Sequence, residues 1–218
     1  MSDTEVLKTI TLHAAQQLGL DRRLGSLDVG KDADLAIFSA HPLNAFARCE
    51  MTLIEGEVFF QRERAVATAL PTFDVPPARG PELRHLVVPI SPAGKYLIRG
   101  AVIHAVTGIP VHGEALLIEG DRIAAMGPKL PVSTDTVIVD AKGLHLFPGM
   151  IDAGTILGLS EIDSARETQD FAEGGDFQPD LRAVIGINPD SELIPVTRAN
   201  GVLTVVSRPT GAIVPGQS

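Results

Sequence analysis

The sequence predicts a mixed, β-rich chain: a sandwich-type sheet assembly, then the opening of an α/β unit. Three observations point there. Short runs rich in Val, Ile and Leu recur at close spacing between residues 95 and 147, with glycines where the chain should turn. A further β-rich run, MTLIEGEVFFQ, stands ahead of a proline-rich stretch. After Gly149, two apolar strands are separated by a long loop and a helical segment, the order of a parallel α/β unit.

Taken in order, Asp3 or Thr4 is placed to cap a helix over residues 5–18. Val6, Leu7, Ile10, Ala14 and Leu18 share one face of it, and Gly19 supplies the stop. In LGSLDVGKDADLAIF, Gly25 and Gly30 punctuate turns ahead of a short strand, Leu35 to Phe38. Asp32 and Asp34 read as turn formers, since an Asp carboxylate accepts from nearby backbone N–H groups. MTLIEGEVFFQ signals a hairpin around Glu55-Gly56. The tetrapeptide LIEG returns at Leu117 to Gly120, too short an echo to define a repeat.

Residues 64–94 change character. Pro71, Pro76, Pro77, Pro81, Pro89 and Pro92 are spread through a stretch with no sustained period, the mark of a linker or wrapping segment. It divides residues 1–63 from residues 95–147, where KYLIRGAVIHA, EALLIEGDRIAAMG and TVIVDAKGLHLF give four or five strands turning at Gly120 and Gly143. Residues 148–218 form a last segment. GMIDAG reads as a short buried strand, PDLRAVIGI as helical or extended, SELIPVTRANG as a helix closed by Asn200-Gly201, and GVLTVVSRP as a second apolar strand. A closed parallel barrel takes eight such units and about 250 residues, so only its beginning fits here.

Composition excludes several functions. Aromatic residues are 4% of the chain, with no Trp, which leaves little for base-stacking platforms. A net charge of -9 repels nucleic acid and anionic membranes, so neither is expected as a partner. No apolar run approaches the ~20 residues that span a bilayer, and MSDTEVLKTITLH lacks the segments of a signal peptide. A cytoplasmic location is the default expectation, with a secreted parent protein left open. Cys49 is alone and can form no disulfide within the chain.

The segments GKDADL and PGMIDA carry a resemblance to the amidohydrolase superfamily, to its imidazolonepropionase-like and prolidase-like branch in particular. LGLDRRLGSLDVGKDADLAIF with MTLIEGEVFF resembles the C-terminal end of such an enzyme, where the chain leaves the barrel and adds strands to a side sandwich. YLIRGAVIHAVTG, ALLIEGDRIAAMG and GLHLFPGMIDAG resemble the N-terminal beginning of another. The order is tail first and head second, which implies a chain spanning the junction of two tandem units. Their sandwich strands would join as one composite β-sandwich, followed by an incomplete TIM-type barrel.

In that family the first barrel strand ends in Asp-Ala-His-x-His, and the two histidines bind a catalytic divalent metal, typically zinc, that activates water. The matching positions here are Gly154 and Ile156, which offer no donor atoms. The resemblance therefore implies neither a catalytic nor a metal-ligating residue, and no cofactor, within this chain. The remaining candidates are acidic groups at the would-be barrel mouth, Asp152, Glu161 and Asp163 above all, on a loop where barrel enzymes place chemistry. The six histidines are scattered singly, and His104 and His145 read as structural. Two functions follow as expectations. In one, a parent enzyme hydrolyses non-peptide C–N bonds of small amides or cyclic amides, with its active residues elsewhere. In the other, the unit lacking histidines is a non-catalytic domain for ligand binding or assembly. Two open barrel strands, apolar on both faces, predict self-association.

Overall fold

A computed structural model describes residues 2–63, 86–162, 164–172, 176–211, 213 and 215–218. These are mostly β, in two mixed sheets and one parallel pair, with few helices and no closed barrel among the described residues.

The N-terminal helix is two helices, α1 (Asp3–Thr9) and α2 (Leu12–Gln17), where the sequence predicts one. The cap of α1 is Ser2, whose Oγ accepts the Glu5 N–H at 3.3 Å, and not Asp3 or Thr4. The break falls at Ile10 and Thr11, which with Thr9 make a run of three β-branched residues that resist helical packing. The Thr11 hydroxyl donates to the Leu7 carbonyl at 2.7 Å, and the Ile10 carbonyl accepts the N–H of Ile151 at 2.8 Å. An unbroken helix would have kept that second carbonyl for its own ladder.

β1 (Leu35–Phe38), β2 (Cys49–Ile54) and β3 (Glu57–Gln61) follow as an antiparallel meander. Glu55 and Gly56 turn the β2–β3 hairpin with φ of 49° and 77°, the paired positive values of a type I′ turn. The other strands before Gly149 are β4 (Lys95–Arg99), β5 (Val102–Ile103), β6 (Ala115–Glu119), β7 (Arg122–Gly127), β8 (Val137–Asp140) and β9 (His145–Pro148). They sort into a four-stranded sheet, β7-β6-β4-β8, and a five-stranded sheet, β3-β2-β1-β9-β5. The second sheet mixes strands from both sides of the proline-rich stretch. β1 pairs antiparallel with β9, in register from Leu35↔Pro148 to Phe38↔His145. Residues 64–85, with most of those prolines and His85, lie outside the described residues.

Alternation along β1 decides what packs where. Leu35 and Ile37 point into one core shared with Met51 and Leu53 of β2, Tyr96 and Ile98 of β4, Leu116 and Ile118 of β6, and Ile123 of β7. Ala36 and Phe38 point to the opposite face, against Leu7 of α1 and Phe147 of β9. β1 is thus buried on both faces, which explains its unbroken apolar run. The two LIEG turns meet: a Cβ at Gly56 would overlap the Gly120 carbonyl oxygen.

β10 (Met150–Thr155) and β11 (Val202–Ser207) pair in parallel, with α3 (Ala183–Gly186) and α4 (Leu193–Arg198) between them in the chain. The sequence predicts β10 as buried, yet only Ile151 is, and Asp152, Ala153 and Gly154 are exposed. β11 lines one edge, and the α1–α2 break meets the other through the Ile10 carbonyl.

Candidate functional site

The end of β10 is where a barrel enzyme of this pattern would place its first reacting groups. Asp152 is exposed there, and its Oδ1 accepts the N–H of Gly154 at 3.1 Å, a local bond two residues along the strand. Thr155 repeats the device, its Oγ1 accepting from the Leu157 N–H at 3.2 Å. The strand end is pinned to β11 by the Arg208 N–H on the Thr155 carbonyl at 2.9 Å, and by the Ser207 hydroxyl on the Leu157 carbonyl at 2.6 Å.

These bonds bring the Arg208 side chain over Gly154. A Cβ at Gly154 would lie 3.1 Å from Arg208 Nε, so the guanidinium sits where a larger residue at 154 would begin. Neither Gly154 nor Ile156 has a side-chain donor atom, and an exposed guanidinium beside Gly154 opposes a second cation there electrostatically. Among the described residues, no group of three or more His, Cys, Asp or Glu side chains is arranged to hold a metal ion. The residues present do not fit a divalent metal at this position.

Glu161 is engaged elsewhere. Its Oε1 accepts from Asn188 Nδ2 at 3.1 Å and its Oε2 from the Ser191 hydroxyl at 2.9 Å, which ties the loop after β10 to the approach of α4. Asp163 lies outside the described residues. Beyond Glu161, a cavity of about 630 Å³ is lined by Asp170, Phe177, Gln178, Asp180, Arg182 and Ile185. Its lining mixes two carboxylates, a guanidinium and apolar side chains. Cys49 is buried; burial pushes its thiol up to about 12, so it stays protonated and is no nucleophile.

Two constellations escape sequence reasoning. Asp32, which the sequence marks as a turn former, is a buried carboxylate bound by two arginines. Arg23 Nε donates to its Oδ2 at 2.9 Å, and Arg122 Nη1 reaches its Oδ1 from β7. Asp34 does act on a turn, its Oδ1 accepting the Glu55 N–H at 2.8 Å, and burial raises its carboxyl above the usual range. The second is a cluster of imidazoles. His104 Nε2 and His145 Nδ1 are 3.0 Å apart, the His104 ring stacks on Phe147 at 4.2 Å, and His41 meets His104 edge-on at 5.4 Å. β5 runs parallel to β9 with Val102 opposite His145 and Ile103 opposite Leu146, so His104, just past β5, comes near His145 through a pairing that no local sequence signal announced.

Comparison with known proteins gives a consistent set of similarities. A family model described as "Amidohydrolase family" matches residues 1–60. A protein described as "Amidohydrolase tasK" from Hapsidospora irregularis is 26% identical over 220 residues, covering 93% of this chain and 22% of that protein. An N-acetylglucosamine-6-phosphate deacetylase from Mus musculus is 41% identical over 59 residues, 27% of this chain and 13% of the relative. Among solved structures, an amidohydrolase from Thermotoga maritima MSB8 superposes with a TM-score of 0.51 at 29% identity, over 56% of this chain and 32% of that one. The chain therefore spans less than a quarter of the length of either curated relative.

Proposed function

We propose, from the premise that this chain belongs to the amidohydrolase superfamily, that it is the scaffolding junction of a larger hydrolase and does not itself catalyse. The parent protein hydrolyses non-peptide C–N bonds of small amides or cyclic amides. Similarity to a deacetylase whose name describes removal of an N-acetyl group supports that bond class. Within the parent, residues 1–63 are the tail of one unit and residues 95–147 the head of the next. The β1–β9 pairing supports reading their strands as one composite sandwich. Residues 148–218 are then the first strands of an incomplete TIM-type barrel.

The observation that carries the non-catalytic reading is Arg208 over Gly154. A hydrolytic metal needs imidazole or carboxylate donors at the end of its first strand; Gly154 and Ile156 offer none, and an exposed Arg208 guanidinium lies 3.1 Å from where a Cβ at 154 would begin. The chain's own residues order the strand end through Asp152, Thr155 and Ser207 and tie down the following loop through Glu161.

Metal analysis of the purified chain after exhaustive dialysis tests the reading. The expected result is no stoichiometric divalent metal. Zinc retained at one equivalent, with turnover of N-acyl amino acids by this chain alone, would overturn it. Assay of the full parent against acyl-amides is expected to show hydrolysis.

A further inference from the structure

We infer that Asn200-Gly201, where α4 ends, is a self-modification site: the helix holds it shut, and it converts to aspartate and isoaspartate when the last turn opens. Of the chain's three asparagines, Asn188 precedes Pro189, which has no N–H to react, and Asn44 precedes Ala45. Asn200 alone precedes a glycine, where no Cβ hinders the approach of the backbone nitrogen to the side-chain amide. The reaction needs only water as co-reactant. The Gly201 nitrogen gives its proton to solvent and bonds to Asn200 Cγ; the Cγ–Nδ2 bond breaks, and the amide nitrogen takes a proton from solvent and leaves as ammonia. Water then opens the cyclic imide at one carbonyl to give aspartate, or at the other to give isoaspartate.

In the native fold both reacting groups are tied to the helix. Asn200 Nδ2 donates to the Val196 carbonyl at 2.8 Å, and the Gly201 N–H to the Arg198 carbonyl at 2.9 Å. A nitrogen whose proton is held by a carbonyl is poorly placed to lose it and attack. The restraint is no stronger than α4. That helix has six residues, none of them buried, and Glu192 at its N-cap makes no side-chain cap bond. Its first turn is held by the Ser191 hydroxyl, which accepts the Leu193 N–H at 3.3 Å, and its last by Arg198 over the Phe59 ring at 5.3 Å. A helix this short draws its stability from its neighbours and opens below the free energy of global unfolding. Asn200 is exposed, so water reaches the site.

The isoaspartyl product does not fit where Asn200-Gly201 sits. Gly201 is buried with φ of 88°, and a Cβ on it would lie 2.6 Å from Phe38 Cζ. Its carbonyl accepts the Met150 N–H at 3.0 Å, beside the Met150↔Val202 pairing of β10 with β11. Isoaspartate lengthens the backbone by a methylene just ahead of this seat, and either product adds a carboxylate at the negative, C-terminal end of α4. Conversion therefore loosens the contact between the five-stranded sheet and the β10–β11 pair.

Peptide mass spectrometry of the chain held in mildly alkaline buffer, native and in urea, tests the proposal. The unfolded chain is expected to convert at Asn200 at least about tenfold faster than the native chain, whose conversion remains measurable. Val196→Gly weakens α4 but keeps the carbonyl at 196; it should speed native conversion about threefold or more and leave the unfolded rate unchanged. Hydrogen exchange of the converted chain should show lost protection at the Met150 amide while Ile37 of β1 keeps its own. Equal native and unfolded rates, a native chain in which Asn200 stays intact, a native rate indifferent to Val196→Gly, or unchanged Met150 protection after conversion would overturn the gated site.

Discussion

Asp32 and Arg122, ninety residues apart, form an ion pair that links the GKDADL turn to the first residue of β7. The Asp32 side chain is 2% exposed, whereas those of Arg122 and Arg23 are 40% and 54% exposed. The carboxylate is committed to the interior and its partners reach it from the rim. Lys31 and Ala33 take the same route through the backbone: Ile123 N–H donates to the Lys31 carbonyl at 2.9 Å, and Ala33 N–H to the Asp121 carbonyl at 2.8 Å.

A buried carboxylate tolerates losing one cation better than two. Arg122→Ala is expected to cost about 2 kcal/mol in urea unfolding, because Arg23 still neutralises Asp32. Arg23→Ala with Arg122→Ala should cost more than the sum of the single changes, since the second removal strands the charge. A purely additive cycle would show that the arginines act independently.

Gly56 and Gly30 separate two reasons for glycine. Both have positive φ, 77° and 89°, but only Gly56 abuts another backbone, at the Gly120 carbonyl, while nothing lies within 4 Å of a Cβ at Gly30. Gly30→Ala should cost about 1 kcal/mol for conformation alone. Gly56→Ala should cost about 3 kcal/mol or more, because the two LIEG turns must part. Thermal unfolding of the pair checks the order.

Restoring histidines at the end of β10 should not by itself restore a metal site. Gly154→His with Ile156→His is expected to retain no zinc through dialysis while Arg208 stays, and to gain weak binding once Arg208→Ala is added. Tight binding with Arg208 in place would contradict the steric and electrostatic argument.

Acid should weaken the fold through the imidazole pair. Desolvation first, then the charges of neighbouring histidines, lowers His104 from 6.5 to about 4, and burial likewise lowers His145. Between those values the unfolded chain binds protons that the native state refuses, so unfolding free energy falls as pH is lowered from about 6.5 towards 4. Replacing His104 with Phe should flatten that slope. A stability profile level across this window would refute the assignment.

The open β10–β11 pair is expected to drive self-association of the isolated chain. Sedimentation at rising micromolar concentration should show growing mass, and a constant monomer would contradict it.

Much of the local structure was legible from residue type. The Glu55-Gly56 turn, the Leu35–Phe38 strand, and the helix closed before Gly201 all lie where their glycines and apolar runs put them. The N-terminal apolar face continues through Ile10 and so predicts one long helix, while the break answers to a partner, Ile151, far along the chain. Burial of β10 was misjudged for the converse reason: an apolar strand advertises neighbours whether or not they are present. Gly154 and Ile156 could be read as lacking metal donors, but that the Arg208 guanidinium lies beside Gly154 could not.

By itself, the sequence carried the resemblance to the amidohydrolase superfamily, the β-rich class and the lack of side-chain donors at Gly154 and Ile156, because each is a property of residue type at a fixed spacing. Tertiary structure alone decided that strands on both sides of the proline-rich stretch share a sheet, that Asp32 is a buried counter-ion, and that three scattered histidines gather around Phe147. The physical reason is range. Turns and periodicity act over a few residues, whereas the partner of His104 lies 41 residues away and that of Asp32 90 residues away, and β1 pairs with β9 across the proline-rich stretch.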